Sequence, residues 1–253
     1  MNALDRHVAA GFGNRPAMTF EGDDGSTMVY SFEEVLEQVC ATATVLAEHG
    51  VKKGDRVSLC MPMIPALAFA VLACARLGAV HSVVFAGFSA EAVAERIVNC
   101  GSTVVLTADG GLRGGKVVPL KSIVDRAIEL AAARGTVVRR VLVTHRAGPG
   151  ASPSAPGWVP GRDVSLDAGT YWVGWVGRPH ERRTYTHSRP CPTTTAAVAE
   201  VYRNTKGRGQ QLYMPPVPVG AEDPLFILYT SGCVAVAAWG VTRFTPTLTP
   251  SHK

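Results

Sequence analysis

VSLCMPMIPALAFAVLACARLGAVHSVVFAGF, residues 57–88, is the longest apolar stretch of the chain, and its only basic residues are Arg76 and His81. A run this long could cross a bilayer, but Pro62, Pro65 and Gly78 divide it. Residues 57–61 and 80–85 read as buried strands. Residues 64–77 form a pattern that is apolar on nearly every side, the mark of a helix buried on most of its surface. The stretch therefore predicts strand–helix–strand and no membrane span.

The pattern extends in both directions. Upstream, Thr19–Phe20 and Met28–Tyr30 flank the turn-rich Glu21-Gly22-Asp23-Asp24-Gly25, which predicts a hairpin. Ser31 and Glu34 have capping-box spacing. Phe32, Val35, Leu36, Val39, Ala43 and Leu46 then follow helical periodicity until Gly50. Downstream, Ser89 caps a helix carrying Val93, Ala94, Ile97 and Cys100, and residues 103–107 form a strand. Pro119 opens a helix with Leu120, Ile123, Val124, Ala127, Ile128 and Ala131 on one face, and residues 137–143 close the series as a strand interrupted by Arg139 and Arg140. This alternation predicts an α/β fold with a parallel sheet and helices on both faces. Ligands of such sheets bind at the carboxyl ends of the strands, which makes the loops 85–89, 107–118 and the one after 229 the candidates for chemistry.

Composition divides the chain near Gly148. Only four of the 17 prolines precede it, and all four tryptophans follow it. Residues 147–224 show no sustained period, apart from a short isolated helical pattern at 193–202. Order returns at 225–229, Leu-Phe-Ile-Leu-Tyr, which reads as a buried strand leading into Thr230-Ser231-Gly232. The net charge of +5 sits in residues 170–209, where Arg178, Arg182, Arg183, Arg189, Arg203, Lys206 and Arg208 face two acids. No periodicity there would hold them on one surface, so nucleic-acid binding is not expected. The six cysteines make no C-x-x-C pair and no cluster with histidine. This excludes a zinc ribbon or a disulfide framework and suits a reduced, cytoplasmic protein with buried thiols. Residues 1–13 carry Asp5 and no apolar run, so no signal peptide is read.

Three segments could carry chemistry. Residues 110–116, Gly-Gly-Leu-Arg-Gly-Gly-Lys, have G-x-x-x-x-G-K spacing, but Val117 stands where a magnesium-binding Ser or Thr should follow. A nucleoside-triphosphatase phosphate loop is excluded. Two readings stay open: an anion site built on Arg113 and Lys116, or a surface loop. Phe85-Ala86-Gly87-Phe88-Ser89 combines a strand end, small residues and a helix cap, and is by itself an ordinary strand–helix loop. Thr230-Ser231-Gly232 could start a hydroxyl-lined phosphate loop. His81 is expected to be a hydrogen-bonded core residue. His180 and His187 have no readable partner, and no Ser/His/Asp, Cys/His or paired-carboxylate arrangement is visible.

Several runs together resemble the acetate–CoA ligases (acetyl-CoA synthetases) of the acyl-adenylate-forming superfamily. They are Gly54-Asp55-Arg56-Val57, residues 61–65, residues 72–85, Gly87-Phe88-Ser89 and residues 222–232. The resemblance covers about residues 2–167 and 212–232. It implies a two-step reaction: a carboxylate, here acetate, attacks the α-phosphorus of ATP to give an acyl-adenylate and pyrophosphate, and the thiol of coenzyme A then displaces AMP. Magnesium and a mobile C-terminal domain serve the two steps. Residue by residue, Phe85-Ala86-Gly87 matches the family's Phe-Gly-Gly turn at the coenzyme A nucleotide. Arg113-Gly114-Gly115-Lys116 matches its second coenzyme A loop and favours the anion-site reading. Thr230, Ser231 and Gly232 match the start of the ATP phosphate loop T-S-G-S-T-G-x-P-K-G. Cys233, Val234, Ala235, Val236, Ala237 and Ala238 then replace its remaining hydroxyls, second glycine and lysine.

The resemblance thus predicts a partial AMP-binding domain in residues 1–168, an unmatched basic insert at 169–211, a return at 212–232 and an unmatched tail at 233–253. Both unmatched segments read as translated non-coding or frame-shifted sequence. The expected function is acetate–CoA ligase by lineage, with no catalytic residues and no metal ligands retained. Two alternatives stay open. One is a non-catalytic coenzyme A or nucleotide-binding module that regulates a full-length ligase. The other is a non-functional truncated product held by chaperones.

Overall fold

The computed structural model describes residues 2–23, 25–147, 155–166 and 213–229. The segments 169–211 and 233–253, the helical pattern at 193–202, His180, His187, and Thr230, Ser231 and Gly232 lie outside the described residues. Helix α1 (Asp5–His7) runs into a π-helical turn, and a hairpin of β1 (Pro16–Glu21) and β2 (Thr27–Ser31) follows. Helix α2 (Phe32–Glu48) starts at the expected capping box: Ser31 Oγ accepts from Glu34 N–H, and Glu34 Oε2 accepts from Ser31 N–H at 2.8 Å.

The centre of the chain then alternates. Strand β3 (Arg56–Met61), helix α3 (Pro65–Leu77), strand β4 (Val80–Phe85), helix α4 (Ala90–Cys100) and strand β5 (Val104–Ala108) follow in turn. A short hairpin of β6 (Gly111–Arg113) and β7 (Lys116–Val118) intervenes before helix α5 (Leu120–Ala132) and strand β8 (Arg140–Thr144). Strands β9 (Asp163–Ser165) and β10 (Phe226–Ile227) complete a six-stranded sheet in the order β10-β4-β3-β5-β8-β9, every pair parallel.

The handedness of parallel crossovers explains where the helices lie. The path β3–α3–β4 steps to one side of β3, whereas β4–α4–β5 and β5–α5–β8 step the other way. Right-handed crossovers in opposite directions put α3 on one face and α4 with α5 on the other. Side-chain alternation agrees. Val57, Leu59, Met61, Leu106 and Leu142 join α2 and α3 in one core. Cys60, Val84, Val105, Val141 and Val143 join α4 and α5 in a second core. Phe69 of α3 is the largest fully buried side chain. Burying a residue of that kind contributes about 1.5–3 kcal/mol. Gly78 ends α3 in the left-handed region at φ 67°, and Gly101 does the same for α4 at φ 65°.

Four expectations need correction. The expected loop 107–118 begins with the last two residues of β5, and its residues 111–118 form a β-hairpin, because Gly114 and Gly115 take positive φ of 55° and 74° and close Arg113 onto Lys116 in a two-residue turn. Strand β8 starts at Arg140, not at 137; Val137 is exposed. Residues 225–229 do not form a buried strand. Strand β10 has two residues at the sheet edge, with Phe226 55% and Leu228 66% exposed. Finally, β9 lies in a segment without periodicity. It is fixed by charge: buried Asp163 meets Arg162 at 2.6 Å and Lys121 of α5 at 2.8 Å. Among the described residues no helix is long and apolar enough to cross a membrane.

Candidate functional site

The carboxyl ends of β3, β4, β5 and β8 open on one side of the sheet, and a cavity of about 260 Å³ lies there. Its walls follow from chain direction. Pro62, Met63 and Ile64 follow β3; Phe85 ends β4, and Ala86 and Gly87 follow it; Gly111, Leu112 and Arg113 belong to the hairpin after β5; Arg146 follows β8. Phe20, Glu21 and Asp23 of the first hairpin close the far side. This is where an open parallel sheet places its ligands.

Phe85, Gly87 and Arg113 form a tight group at the mouth. The Arg113 guanidinium lies over the Phe85 ring, 5.5 Å from its centroid. A Cβ added to Gly87 would lie 2.5 Å from the Phe85 ring and 2.7 Å from Arg113 Nη1. The absence of a side chain at 87 is therefore what lets the ring and the cation meet above the turn. Phe85 is 54% exposed, which leaves an aromatic face and a cation presented together to solvent. Phe88 packs edge-on against Phe85 at 5.6 Å.

The expected residues divide into two groups. Phe85, Ala86, Gly87 and Arg113 line the cavity. Gly114, Gly115 and Lys116 do not; they form the exposed tip of the hairpin. A two-residue turn puts Lys116 on the returning strand, directly across from Arg113.

The sequence reading missed Arg146 and its support, Asp109. The Asp109 carboxylate is fully buried at the end of β5. Its Oδ1 accepts from the backbone N–H of Gly110, Arg146 and Ala147 at 2.7, 2.7 and 3.1 Å. Oδ2 lies 2.8 Å from His145 Nδ1. One carboxylate thus ties the loops after β5 and β8 and fixes the backbone that carries Arg146 into the cavity wall. An acid directly after a strand and before two glycines was the available signal. Only the neighbouring strand order reveals its partner.

His81 is buried as expected, but its Nδ1 has no hydrogen-bond partner, and burial holds its pKa below the ordinary value. The reading of a hydrogen-bonded core histidine therefore fails at that atom. Its ring leans against Phe226 of β10 with centroids 5.9 Å apart. Among the described residues, no three His, Cys, Asp or Glu side chains come together as a metal site.

Residues 5–234 match the family model described as AMP-binding enzyme. The chain belongs to the AMP-binding enzyme family. It is 47% identical over 232 residues to the acetyl-coenzyme A synthetase of Rhizobium rhizogenes, 91% of this chain and 29% of that protein. It is 44% identical to the proteins of the same name from Agrobacterium fabrum (strain C58 / ATCC 33970) and Bartonella quintana (strain Toulouse), with the same coverage. The chain therefore spans 29% of the length of the curated relatives it matches. Within this family, the parallel sheet and its helices are those of the N-terminal portion of the AMP-binding fold.

Proposed function

We propose that the cavity at Phe85 and Arg113 is a coenzyme A nucleotide half-site of acetate–CoA ligase lineage, and that this chain does not itself turn over acetate. The observation that carries the first part is the cradle at Gly87. A ring and a guanidinium meet where a Cβ would separate them, at the mouth of a cavity that also takes in Arg146. An aromatic face suits a purine, and two cations suit its phosphates. Phe85, Ala86, Gly87 and Arg113 are the proposed contacts; Lys116 serves only as a charge on the outer strand of the hairpin.

The second part rests on the residues after Gly232. Phosphoryl and acyl-phosphate chemistry depends on donors and cations placed where charge develops. Here Val234, Ala235, Val236, Ala237 and Ala238 offer no side-chain donor. Thr230, Ser231 and Gly232 remain the proposed remnant of an ATP phosphate loop. Magnesium is ordinarily held by one or two carboxylates together with substrate phosphates, and no step is assigned to it. Acetate is the carboxylate that the relatives' name suggests. A cytoplasmic location accords with the free, buried Cys40, Cys60, Cys74 and Cys100.

Two measurements test this reading. Calorimetric titration with coenzyme A should show binding that Arg113→Ala weakens about tenfold, or 1.4 kcal/mol; equal heats end the half-site. Acetate-dependent exchange of pyrophosphate into ATP should stay at background, and exchange above it refutes the loss of activity. The exposed Phe226 and Leu228 favour a second reading, a product kept soluble by chaperones. A monodisperse chain that melts cooperatively rejects it.

A further inference from the structure

Arg96 of α4 holds its guanidinium against two aromatic rings, 4.3 Å from the centroid of Phe88 and 5.3 Å from that of Tyr229. Nη1 donates to the Ala92 carbonyl at 2.8 Å, which folds the side chain back along the helix. The Tyr229 hydroxyl donates to the Arg96 carbonyl at 3.4 Å. Phe88 in turn packs edge-on against Phe85, and Phe85 lies under Arg113. Five side chains thus form a continuous series, Arg113–Phe85–Phe88–Arg96–Tyr229. It runs from the hairpin at the cavity to Tyr229, two residues beyond β10.

The helix makes this geometry possible. Phe88 precedes the N-cap Ser89, and Arg96 stands two turns further along, on the same side of α4. Strand β10 is otherwise weakly held on this flank. It has two residues, and Leu225, Phe226 and Leu228 are exposed.

We infer that Arg96 is a positioning residue that couples the end of β10 to the Phe85-Ala86-Gly87 turn. Motion of the turn is felt at Tyr229, one residue before Thr230. A nucleotide seated on Phe85 therefore orders residues 226–229 without touching them, as linkage between two sites requires. The ligand-dependent half of this statement rests on the nucleotide reading of the cavity; the mechanical half does not.

Backbone hydrogen exchange on the full chain, read by mass spectrometry at residues 226–229, tests both halves. Without ligand, Arg96→Gln should speed exchange there about fivefold or more, given about two- to fivefold per lost cation–π contact. Arg96→Lys, which keeps a cation between the rings, should restore most of the protection, and Phe88→Leu should also speed exchange. Unchanged exchange in Arg96→Gln overturns the coupling whether or not any ligand binds. So does a Lys variant as fast as the Gln variant, since that marks a packing role without the cation. With coenzyme A added, the wild-type chain should gain protection at 226–229 as well as at 85–88. In Arg96→Gln the gain should be confined to 85–88. Equal gains at 226–229 in both chains overturn the coupling. If coenzyme A protects no residue of the wild-type chain, the cavity reading fails, and the ligand-free result decides the mechanical coupling by itself.

Discussion

Removing the Arg76 guanidinium should cost this fold about 3–5 kcal/mol, the usual penalty for stripping one partner from a buried ion pair. Arg76 Nη1 and Nη2 donate to the two oxygens of Asp5 at 3.0 and 2.7 Å, and the two side chains are only 4% and 1% exposed. Nε donates to the Met214 carbonyl, and the Tyr213 hydroxyl donates to Asp5 at 2.9 Å. The clasp thus joins α1, α3 and the segment that leads into β10. Burial pushes the Asp5 carboxyl up, but the Arg76 guanidinium and the Tyr213 hydroxyl outweigh it and hold the pKa below the ordinary 3.8.

Arg76→Met leaves that carboxylate buried without its guanidinium. At about 2–4 °C per kcal/mol for a chain of this size, the melting temperature should fall by about 6–20 °C. Tyr213→Phe, which deletes one hydrogen bond to a charged group, should cost about 1.5–3 kcal/mol. Asp5→Leu combined with Arg76→Met removes both charges and should recover most of the loss. Because the folded value of Asp5 is depressed, its contribution is present above pH 3.8 and is lost as pH falls through the folded value. Calorimetric melts at neutral pH read the mutants, and acid titration of the wild-type chain reads the pH dependence. A shift of less than about 2 °C in Arg76→Met, well under the loss expected of a buried pair, would refute this reasoning.

Three further outcomes follow from the same structure. Gly87→Ala should push the Phe85 ring and Arg113 apart and weaken coenzyme A binding about tenfold while barely moving the melting temperature, since the displaced atoms are side-chain ends at the surface; unchanged affinity by calorimetry would contradict it. Burial pushes the Cys60 and Cys74 thiols up to about 12, so neither should react with a disulfide reagent at pH 8 in the native chain. Modification mapped to either residue before unfolding would count against the buried core. Burial also holds His81 below its ordinary 6.5, so its contribution to stability is present above pH 6.5 and is lost as pH falls through the folded value. Replacing it in His81→Leu should flatten the dependence of the melting temperature on pH below 6.5, and an unaltered slope would place the titrating group elsewhere.

The sequence disclosed the sheet because β3 and β5 are buried on both faces and β4 over most of its length. Residues 57–61, 80–85 and 103–107 are predominantly apolar, β-branched runs between helical periods, the pattern of strands in a parallel sheet. It disclosed less where order depends on distant partners. Strand β9 is recruited by Lys121, forty-two positions upstream, through a charge pair that leaves no period. The edge position of β10 depends on strand order, which local pattern does not encode. The site was half legible for the same reason. Phe85 and Gly87 lie at a strand's carboxyl end in the chain and could be found there. Arg146 reaches the cavity only because β8 pairs with β5, and Asp109 ties their loops.

Strand β10 finds its slot beside β4 through a set of moorings that precede it: Val217 N–H to the Arg76 carbonyl at 2.8 Å, Lys53 to the Pro218 carbonyl at 3.0 Å, and Lys53 to Asp223 at 2.9 Å. Its address is written on α3, on the turn before β3 and on residues 213–223 that reach them, not on the connection that leads there from β9. Lengthening that connection costs little, about 0.6 kcal/mol for each doubling. Evolution can therefore splice, stretch or rewrite the polypeptide between β9 and Tyr213 while the strand still berths in register.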